Sequence, residues 1–404
     1  MGKVKTGYIK EYNTPPKSDA KNAEFLVYFR ETSSYNGGFG IDYMSGEPQR
    51  FKNDGSEIRY KNTIESGNWA DFEKLYNPSK IYNLPYYSSW ISMYKDNFTV
   101  TGEQVKLTLY VDKGSGNWDN KGIIDEIVMA PKDGLSFVPD RLPAKTAHEK
   151  EITVFCNTEL TGDYLYEVKD QNGNVIGLLN FCKNNSSQQK KINVRLVNVK
   201  LFGVETFSTN LVQIQKWLAK EGLNQAMINA NFSTAVEELD LSLPKYAAAI
   251  NSTRTVSGRI QDYISNYDLL LETIEKNDTS GNTKVLTYYF INKDAVDGGY
   301  DPETGAPKGW LNGMGSPSPK KSVLIFNKTN SLGYKKGTIV HEGLHTMGLP
   351  HFFNNGPGFG NGKFYFKKWE TDNIMDYYKA GTSDKRTRII KWQWDEIRKD
   401  KTLL

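Results

Sequence analysis

The stretch TIVHEGLHTMGLPH, residues 338–351, concentrates the chemistry of this chain. It contains three of the four histidines among the 404 residues: His341, His345 and His351. The first two are four positions apart, so on a helix both imidazoles project from one face, one turn apart. Gly348 suits the left-handed residue that ends a helix, and Pro350 prevents the helix from resuming. We therefore expect His351 to return to the other two imidazoles.

These residue types in this order are typical of a zinc site that catalyses hydrolysis. Three neutral imidazoles leave a tetrahedral zinc ion with one position open for water. A structural zinc would be closed by a fourth Cys or His, and those that remain lie far upstream: His148, Cys156 and Cys182. Glu342 follows the first histidine, where its carboxylate can take a proton from water without being a ligand. The complete pattern is H-E-x-x-H-x-x-G-x-x-H.

A second candidate lies in TDNIMDYY, residues 371–378. Met375 is 24 residues after His351, in a short turn-like segment. An ordinary core methionine is one interpretation, and a methionine that forms the floor beneath the metal ligands is the other. Both predict a buried side chain, but only the second explains the residues around it.

Together, HEGLHTMGLPH and NIMDY resemble the metzincin clan of zinc metallopeptidases. Their sequences are most similar to its pappalysin-like and similar bacterial branches. The resemblance implies that the three histidines bind Zn²⁺, that Glu342 is the general base and that Met375 is the Met-turn residue. It also implies that Tyr377 lies near the zinc, where its hydroxyl can bond a tetrahedral intermediate. One departure is visible, because many members have Gly immediately before the second histidine, whereas here Leu344 is there and Gly343 precedes it.

The metzincin resemblance also implies a fold for residues 201–404. It implies an α+β catalytic domain in which a mixed sheet lies above the active-site helix. The run SVLIF, residues 322–326, is then the cleft-edge strand that pairs with an extended substrate. The segment 353–369 is then the loop that forms the S1′ wall.

Upstream of that domain the sequence is rich in strand-like runs. Short apolar stretches broken by Gly, Asn and Asp recur between residues 25 and 138, and a polar stretch at 140–150 predicts a linker. We therefore expect a multidomain chain, with β-sandwich-like N-terminal modules followed by the α+β domain. The predicted segments are a tether at 1–22, a β-rich domain at 23–140, a small β-sandwich-like unit at 150–200 and the metzincin-like domain at 201–404.

Local patterns predict individual elements. Asp170-Gln171-Asn172-Gly173 between two apolar runs predicts a hairpin turn. Ser208 is a candidate N-cap for a helix with apolar residues at helical spacing and Gly222 near its end. The other predicted elements are a helix at 267–276, a final helix carrying Ile390, Trp394 and Ile397, strands at 285–291 and 322–326, and a functional loop at 294–321.

Composition excludes several classes of function. Hydrophobic residues make up 38% and charged residues 24% of the chain, which excludes wholesale disorder. The net charge of +4 is too small to imply a nucleic-acid partner. No apolar run approaches the ~18 residues that cross a bilayer, so we expect no integral membrane segment. The N-terminus lacks the apolar stretch of a signal peptide, which predicts a protein that is cytoplasmic in the producing cell.

Four weaker patterns favour structural roles. Cys156 and Cys182 favour two buried free thiols over one cross-strand bridge. The aromatic stretch at 82–94 favours a sandwich core over carbohydrate binding. The acidic residues at 294–303 lack EF-hand spacing, which favours a solvated loop over a calcium site. The basic stretch at 379–388 favours a solvated face.

The strand-rich half carries a second resemblance. FLVYFRETSSYNGGFGIDYM (25–44), TELTGDYLYEVKD (158–170) and IGLLNFCKN (176–184) resemble the β modules that head bacterial type VI secretion effectors. This resemblance implies export by a signal-independent secretion system, with the secretion machinery and an immunity protein as partners. An accessory β-sandwich is the alternative interpretation.

The zinc motif predicts a zinc-dependent endopeptidase that hydrolyses a peptide or protein substrate, with metal-activated water and Glu342 as general base. The alternative is a non-catalytic binding or secretion-structural protein whose β modules are the working part. Glu342 discriminates between them, because a structural zinc gains nothing from a carboxylate beside its ligands. A third hypothesis combines the two as a delivered toxin, in which the β modules dock to secretion machinery and the peptidase injures a recipient.

Overall fold

A computed structural model gives the architecture of this chain. It describes residues 10–12, 25–44, 64–66, 69–76, 78–81, 84–112, 126–201, 203–257, 261–280, 284–301, 304, 307–316, 321–353, 363–377, 384 and 386–404.

The chain divides into two compact units, and each is made of discontinuous segments. The first comprises Met1–Gln189, Asn224–Met227 and His351–Asp395, and the second comprises Lys190–Leu223, Ile228–Pro350 and Glu396–Leu404. The four segments predicted from the sequence stay predictions about which parts fold independently.

The regular elements are mostly short strands. The strands are β1 (Lys10–Tyr12), β2 (Leu26–Glu31), β3 (Gly40–Asp42), β4 (Ile64–Ser66), β5 (Ser79–Ile81), β6 (Leu84–Tyr86), β7 (Ser89–Ser92), β8 (Val105–Asp112), β9 (Glu126–Val128), β10 (Leu135–Val138), β11 (Arg141–Pro143), β12 (Lys150–Cys156), β13 (Tyr164–Asp170), β14 (Val175–Phe181), β15 (Lys190–Leu201), β16 (Ile228–Phe232), β17 (Glu237–Leu241), β18 (Arg254–Ser257), β19 (Gln261–Ile264), β20 (Val285–Ile291), β21 (Ala295–Tyr300), β22 (Pro307–Leu311), β23 (Gly313–Ser316), β24 (Ser322–Phe326) and β25 (Tyr365–Phe366). The α-helices are α1 (Trp69–Lys74), α2 (Asn97–Thr101), α3 (Leu211–Ile214), α4 (Ala247–Ser252), α5 (Tyr267–Asn277), α6 (Lys336–Thr346) and α7 (Lys391–Ile397).

Two sheets of the first unit form a β-sandwich. One has the strand order β10-β12-β8-β2 and the other β11-β9-β13-β14-β7-β3. Residues of β8 alternate between buried and partly exposed along the whole strand, the pattern of a strand with one face on a core. Side chains of both sheets share that core, among them Phe29, Leu107, Ile152, Val168 and Phe181. The expected β-rich architecture with several sheets is confirmed.

Residues 140–150 are folded, and the linker predicted there is wrong. β11 pairs with β9, a short 3-10 helix spans Ala144–Thr146, and β12 begins at Lys150. β12 pairs with β8, where Ile152 lies opposite Leu107, and β13 pairs with β9. Strands from both sides of 140–150 therefore share the same sheets, because the apolar face of each needs the other to complete a core.

The hairpin predicted after Asp170 is confirmed. β13 and β14 pair antiparallel, and Gly173 supplies the left-handed residue of the turn with φ of +85°. The Asp170 carboxylate accepts hydrogen bonds from the main-chain N–H groups of Asn172 and Asn174 at 2.9 and 2.8 Å. The turn is therefore fixed by local chemistry.

The second unit is built on a mixed sheet with the strand order β16-β15-β20-β24-β23, in which β17 also pairs with β15. β15, β16, β20 and β24 run parallel, and β23 runs antiparallel to β24. β20 and β24 are apolar and buried along nearly their whole length, as is typical of internal parallel strands. The strands predicted at 285–291 and 322–326 are confirmed.

The edge of this sheet differs from the expectation. β24 pairs with β20 on one side and with β23 on the other, so that Ile325 faces both Phe290 and Gly313. The prediction that 322–326 forms the cleft edge is therefore wrong, and β23 takes that position. The loop predicted at 294–321 instead contains β21, β22 and β23. Its glycines leave no apolar alternation from which those strands could be predicted.

The structure confirms the predicted helices α5 and α7 and corrects the predicted N-cap of α3. α5 confirms the helix predicted at 267–276. α3 begins after Asn210, whose side chain accepts the N–H of Gln213 at 3.0 Å, so the cap predicted at Ser208 is wrong. α7 confirms the final helix, with Trp394 and Ile397 fully buried. None of the described helices has the length and apolar character needed to span a bilayer.

The weaker patterns divide between confirmed and corrected. Both cysteines are buried and neither forms a disulfide, as predicted, and Trp90 of the aromatic stretch is buried. Asp294 is buried rather than solvated, because it accepts the N–H groups of Asn330 and Ser331, each at 2.8 Å. Arg388 of the basic stretch is also buried, in ion pairs with Glu31 and Asp372.

Candidate metal centre

Helix α6 carries the first two histidines and ends as predicted. Gly348 is left-handed, with φ of +89°. Its N–H donates to the carbonyl of His345 at 2.9 Å, and the N–H of Leu349 donates to the carbonyl of Leu344 at 3.2 Å. This pair of bonds is the Schellman motif. It turns the chain sharply after the second histidine, so that His351 comes only three residues beyond the left-handed glycine.

The three predicted ligands converge. Nε2 of His341 lies 3.0 Å from Nε2 of His345, and one ligand atom of each of these residues and of His351 lies within 4.8 Å of the other two. His341 and His351 are buried and His345 is half-buried. Among the described residues, this is the one cluster of His, Cys, Asp or Glu side chains that could hold a metal ion.

The tautomer of His345 suits metal binding. Its Nδ1 lies 2.7 Å from the carbonyl oxygen of Leu349, and because a carbonyl only accepts, the proton is on Nδ1. The lone pair of Nε2 then faces His341. Burial lowers the pKa of His345 to about 4, so the ring is neutral near pH 7. A metal ligand needs this neutral form.

Glu342 is held by the edge strand of the sheet. The N–H of Gly315 in β23 donates to Oε2 of Glu342 at 2.8 Å. A Cβ at Gly315 would lie 2.2 Å from the Glu342 carbonyl oxygen, and one at Gly313 would lie 2.8 Å from Cγ of Glu342. Both positions therefore require glycine for the strand to approach α6 this closely. The sequence reasoning missed these two glycines, although their alternate spacing in GMG was the available signal.

Gly343 also has a packing reason. A Cβ there would lie 2.2 Å from the hydroxyl oxygen of Tyr288, which donates to the Ile339 carbonyl at 2.8 Å within α6. Tyr288 is fully buried, and burial raises the pKa of its hydroxyl well above the usual value. Gly343 therefore lies where β20 contacts α6, and Leu344 takes a buried core position.

Met375 lies in a turn that is bonded to the residue after the third histidine. The side chain is fully buried. The Met375 carbonyl accepts the N–H of Phe352 at 2.9 Å, and its own N–H donates to Oδ1 of Asn373 at 2.8 Å. The turn therefore fixes the main chain next to His351.

Tyr377 reaches the same histidine through its side chain. Its hydroxyl lies 3.1 Å from Nε2 of His351, and the two rings meet edge to face with centroids 5.0 Å apart. Phe353 stacks on the His351 ring, also with centroids 5.0 Å apart, and meets the Tyr377 ring with centroids 4.8 Å apart. The predicted phenol is therefore beside a candidate ligand atom.

Asp376 is a residue of this turn that the sequence reasoning did not single out. Its fully buried carboxylate accepts four hydrogen bonds, from the N–H groups of Trp369, Thr371 and Tyr377 and from the Thr371 hydroxyl, at 2.7 to 3.0 Å. Four donors on one carboxylate hold residues 369–377 in a single arrangement. The signal was its place in NIMDY, between the methionine and the tyrosine.

Comparison with protein-family models, curated proteins and solved structures gives no significant match. The chemistry of this site must therefore be inferred from its own residues. Of the predicted S1′ segment, residues 354–362 lie outside the described part of the chain.

The donor set fits a divalent transition metal. It consists of three imidazole nitrogens, which suit zinc, copper, nickel and iron better than magnesium or calcium. His148, the fourth histidine, lies apart from the cluster, with its Nδ1 3.2 Å from both the N–H and the carbonyl oxygen of Val111. Three protein ligands leave room for water or substrate, as in catalytic rather than structural sites.

Proposed function

We propose that this protein is a zinc-dependent endopeptidase with a metzincin-like catalytic region. The observation that carries the proposal is the convergence of the three imidazoles beside a carboxylate that is not part of the cluster. His341, His345 and His351 offer ligand atoms within 4.8 Å of one another, and Glu342 is adjacent in sequence and half-buried. A structural metal site has no use for such a carboxylate.

The three histidines would hold the zinc ion through imidazole nitrogens. When bound, zinc supplies a Lewis acid that lowers the pKa of water towards 7 and polarises the carbonyl of a peptide bond. The bond from His345 Nδ1 to Leu349 fixes the ring that presents Nε2, which is the usual way in which an outer partner orients a ligand.

Glu342 is the general base. Its Oε2 accepts the Gly315 N–H, which helps to fix the carboxylate, and a carboxylate oxygen of Glu342 can take the proton of the attacking water. The same oxygen can then pass that proton to the departing amine, which avoids expelling an amide anion. Tyr377 can donate its hydroxyl hydrogen where negative charge develops on the carbonyl oxygen.

An extended peptide is the substrate that the sheet edge favours. Among the described strands, β23 pairs only with β24, so apart from the Gly315 N–H, which donates to Glu342, its other side can pair with a further strand. A peptide that adds to this side as a further strand gains main-chain hydrogen bonds without regard to its sequence. Because Gly315 of β23 bonds Glu342, such a peptide would lie beside the base.

The test is metal analysis with a mixed-peptide cleavage assay. We expect the wild type and Glu342→Gln to bind about one zinc each, as a three-ligand site without the carboxylate requires, and only the wild type to cut. His345→Ala should lose the zinc, whereas His148→Ala, which removes the one histidine outside the cluster, should keep both zinc and activity. Equal cleavage by wild type and Glu342→Gln, or no metal in the wild type, would contradict the proposal.

Secretion as a type VI effector, an immunity partner and a toxic role stay predictions from the resemblance of the strand-rich half. The non-catalytic alternative predicts that Glu342→Gln changes nothing, so the same experiment distinguishes it from the peptidase.

A further inference from the structure

Lys368 lies against three aromatic rings. Its Nζ is 4.7 Å from the ring centroid of Tyr377, 4.8 Å from that of Phe353 and 5.0 Å from that of Trp369. A lysine ammonium over ring faces is attracted by their negative charge density. The ammonium is thus held at a defined place rather than on a freely moving side chain.

This ammonium has no counter-ion within the described part of the chain, where no carboxylate lies within ion-pair distance of it. Lys391 provides the contrast, because its Nζ lies 4.2 Å from the ring centroid of Trp90 but also 3.5 Å from the carboxylate of Asp395. A half-buried cation without a carboxylate beside it has lost some of its hydrogen bonds to water and has gained no bond to an anion in their place. It is therefore prepared to bind an anion.

The main chain around Lys368 is fixed as well. Trp369 has φ of +68°, which is strained for a residue with a side chain. The buried carboxylate of Asp376 accepts its N–H at 3.0 Å and thereby helps to hold that conformation. Trp369 nevertheless leaves 55% of its surface exposed. Strain that is stabilised at an exposed position is typical of a binding surface.

The Lys368 ammonium and the imidazole of His351 contact the same two aromatic rings. Phe353 and Tyr377, which both contact Lys368, also contact the imidazole of His351, with centroids 5.0 Å from it. An anion bound at Lys368 would therefore lie close to the position at which a peptide bond is cleaved.

We propose that Lys368 recognises a carboxylate in the substrate, so that the enzyme prefers peptides with Asp or Glu next to the scissile bond. This inference rests on the proposed peptidase function and adds a substrate class to it. The neutral tyrosine, phenylalanine and tryptophan rings position the ammonium without neutralising it. The substrate carboxylate then supplies the missing partner, in a charge-assisted hydrogen bond.

The test uses zinc-loaded full-length protein and fluorogenic peptides that differ only by Asp against Asn, or Glu against Gln, moved one position at a time along the peptide. We expect kcat/KM to be about tenfold higher for the acidic peptide at one position beside the cleaved bond, the size typical of a hydrogen bond to a charged group. The preference should weaken at high salt.

Three variants separate charge from packing. Lys368→Met keeps a long apolar side chain over the rings and should lower the preference to about one. Lys368→Arg keeps the charge and the ring contacts, and should retain the preference. Lys367→Met removes the exposed lysine next to it and should change nothing. A wild type without an acidic preference, or a Lys368→Met that keeps one, would overturn the inference.

Binding separates this inference from the proposed function. Titration calorimetry of Glu342→Gln with the same peptide pairs reports recognition without cleavage. If the wild type cuts no peptide, the peptidase proposal fails, while acid-selective binding that Lys368→Met abolishes would still support the recognition site. If neither cleavage nor binding depends on the carboxylate, the role of Lys368 is wrong.

Discussion

The main-chain N–H of Gly315 donates a 2.8 Å hydrogen bond to the carboxylate of Glu342. This bond connects the edge strand of the mixed sheet to the residue proposed as general base. The strand can come so near to the helix only because it has no side chain at that position. The position of the proposed general base is therefore coupled to the sheet edge, at which we propose that an extended substrate binds.

Gly315→Ala tests this coupling. The added Cβ would lie 2.2 Å from the Glu342 carbonyl oxygen and 3.1 Å from Cβ of His345, so strand and helix must separate. We expect a loss of roughly 1–3 kcal/mol in unfolding free energy, typical of overpacking. Zinc affinity and kcat should fall too, since both Glu342 and His345 move. Urea denaturation and metal titration measure these effects.

Gly162→Ala is the matched control, because a Cβ at Gly162 would meet nothing within 4 Å. It should leave stability, zinc affinity and activity close to those of the wild type. If Gly315→Ala behaves in the same way, the contact between β23 and α6 does not position the base.

Tyr377→Phe tests the phenol beside His351. If its hydroxyl bonds the oxyanion, kcat and kcat/KM should fall together by roughly 10²-fold, the low end for losing one such donor. Zinc content and the thermal midpoint should barely change. Tyr164→Phe removes a hydroxyl that donates to Asp133 in the sandwich and should leave kinetics intact. Unchanged kinetics in Tyr377→Phe would leave Glu342 and the metal to perform the chemistry without a phenol.

Lys321→Met tests the buried ion pair at the end of α6. The Lys321 ammonium bonds both the Thr346 carbonyl, at 2.6 Å, and the Asp400 carboxylate, and both side chains are buried. Its removal leaves the buried Asp400 carboxylate without a counter-ion, which should cost about 3–5 kcal/mol at pH 7. Lys399→Met, which breaks an exposed pair with Glu396, should cost far less.

The same pair predicts a pH dependence. Burial alone would raise the pKa of Asp400, but the hydrogen bonds from Lys321 and Thr402 outweigh it and hold this pKa below its ordinary value. On acidification, Asp400 therefore takes up a proton at a higher pH in the unfolded chain than in the folded chain. The contribution of the ion pair to the unfolding free energy is complete above about pH 4 and is lost as the pH falls through the lowered pKa of Asp400. In Lys321→Met the unfolding free energy should fall less on acidification, because protonation of Asp400 then removes a buried charge that has no counter-ion. Urea midpoints of metal-free protein at pH 7 and pH 3.5 give the comparison.

Much of the candidate site was predictable from local sequence. The spacing of His341 and His345, the left-handed Gly348 and Pro350 define a helix, a sharp turn and a third histidine within sixteen residues, Lys336–His351. The strands at 285–291 and 322–326 were predictable because buried parallel strands are continuously apolar. In each case the determining contacts lie within a few residues, so the sequence carries the whole signal.

Tertiary structure alone decided which strand forms the sheet edge and what holds the base. β24 is internal because β23 pairs with its far side, and β23 comes from a glycine-rich segment without apolar alternation. Gly315 must be glycine because Glu342, 27 residues away, lies against it. The four bonds to Asp376 and the rings around Lys368 likewise join residues that share no periodic pattern. Strand partners and close main-chain approaches depend on which distant surfaces meet, and only the folded chain determines that.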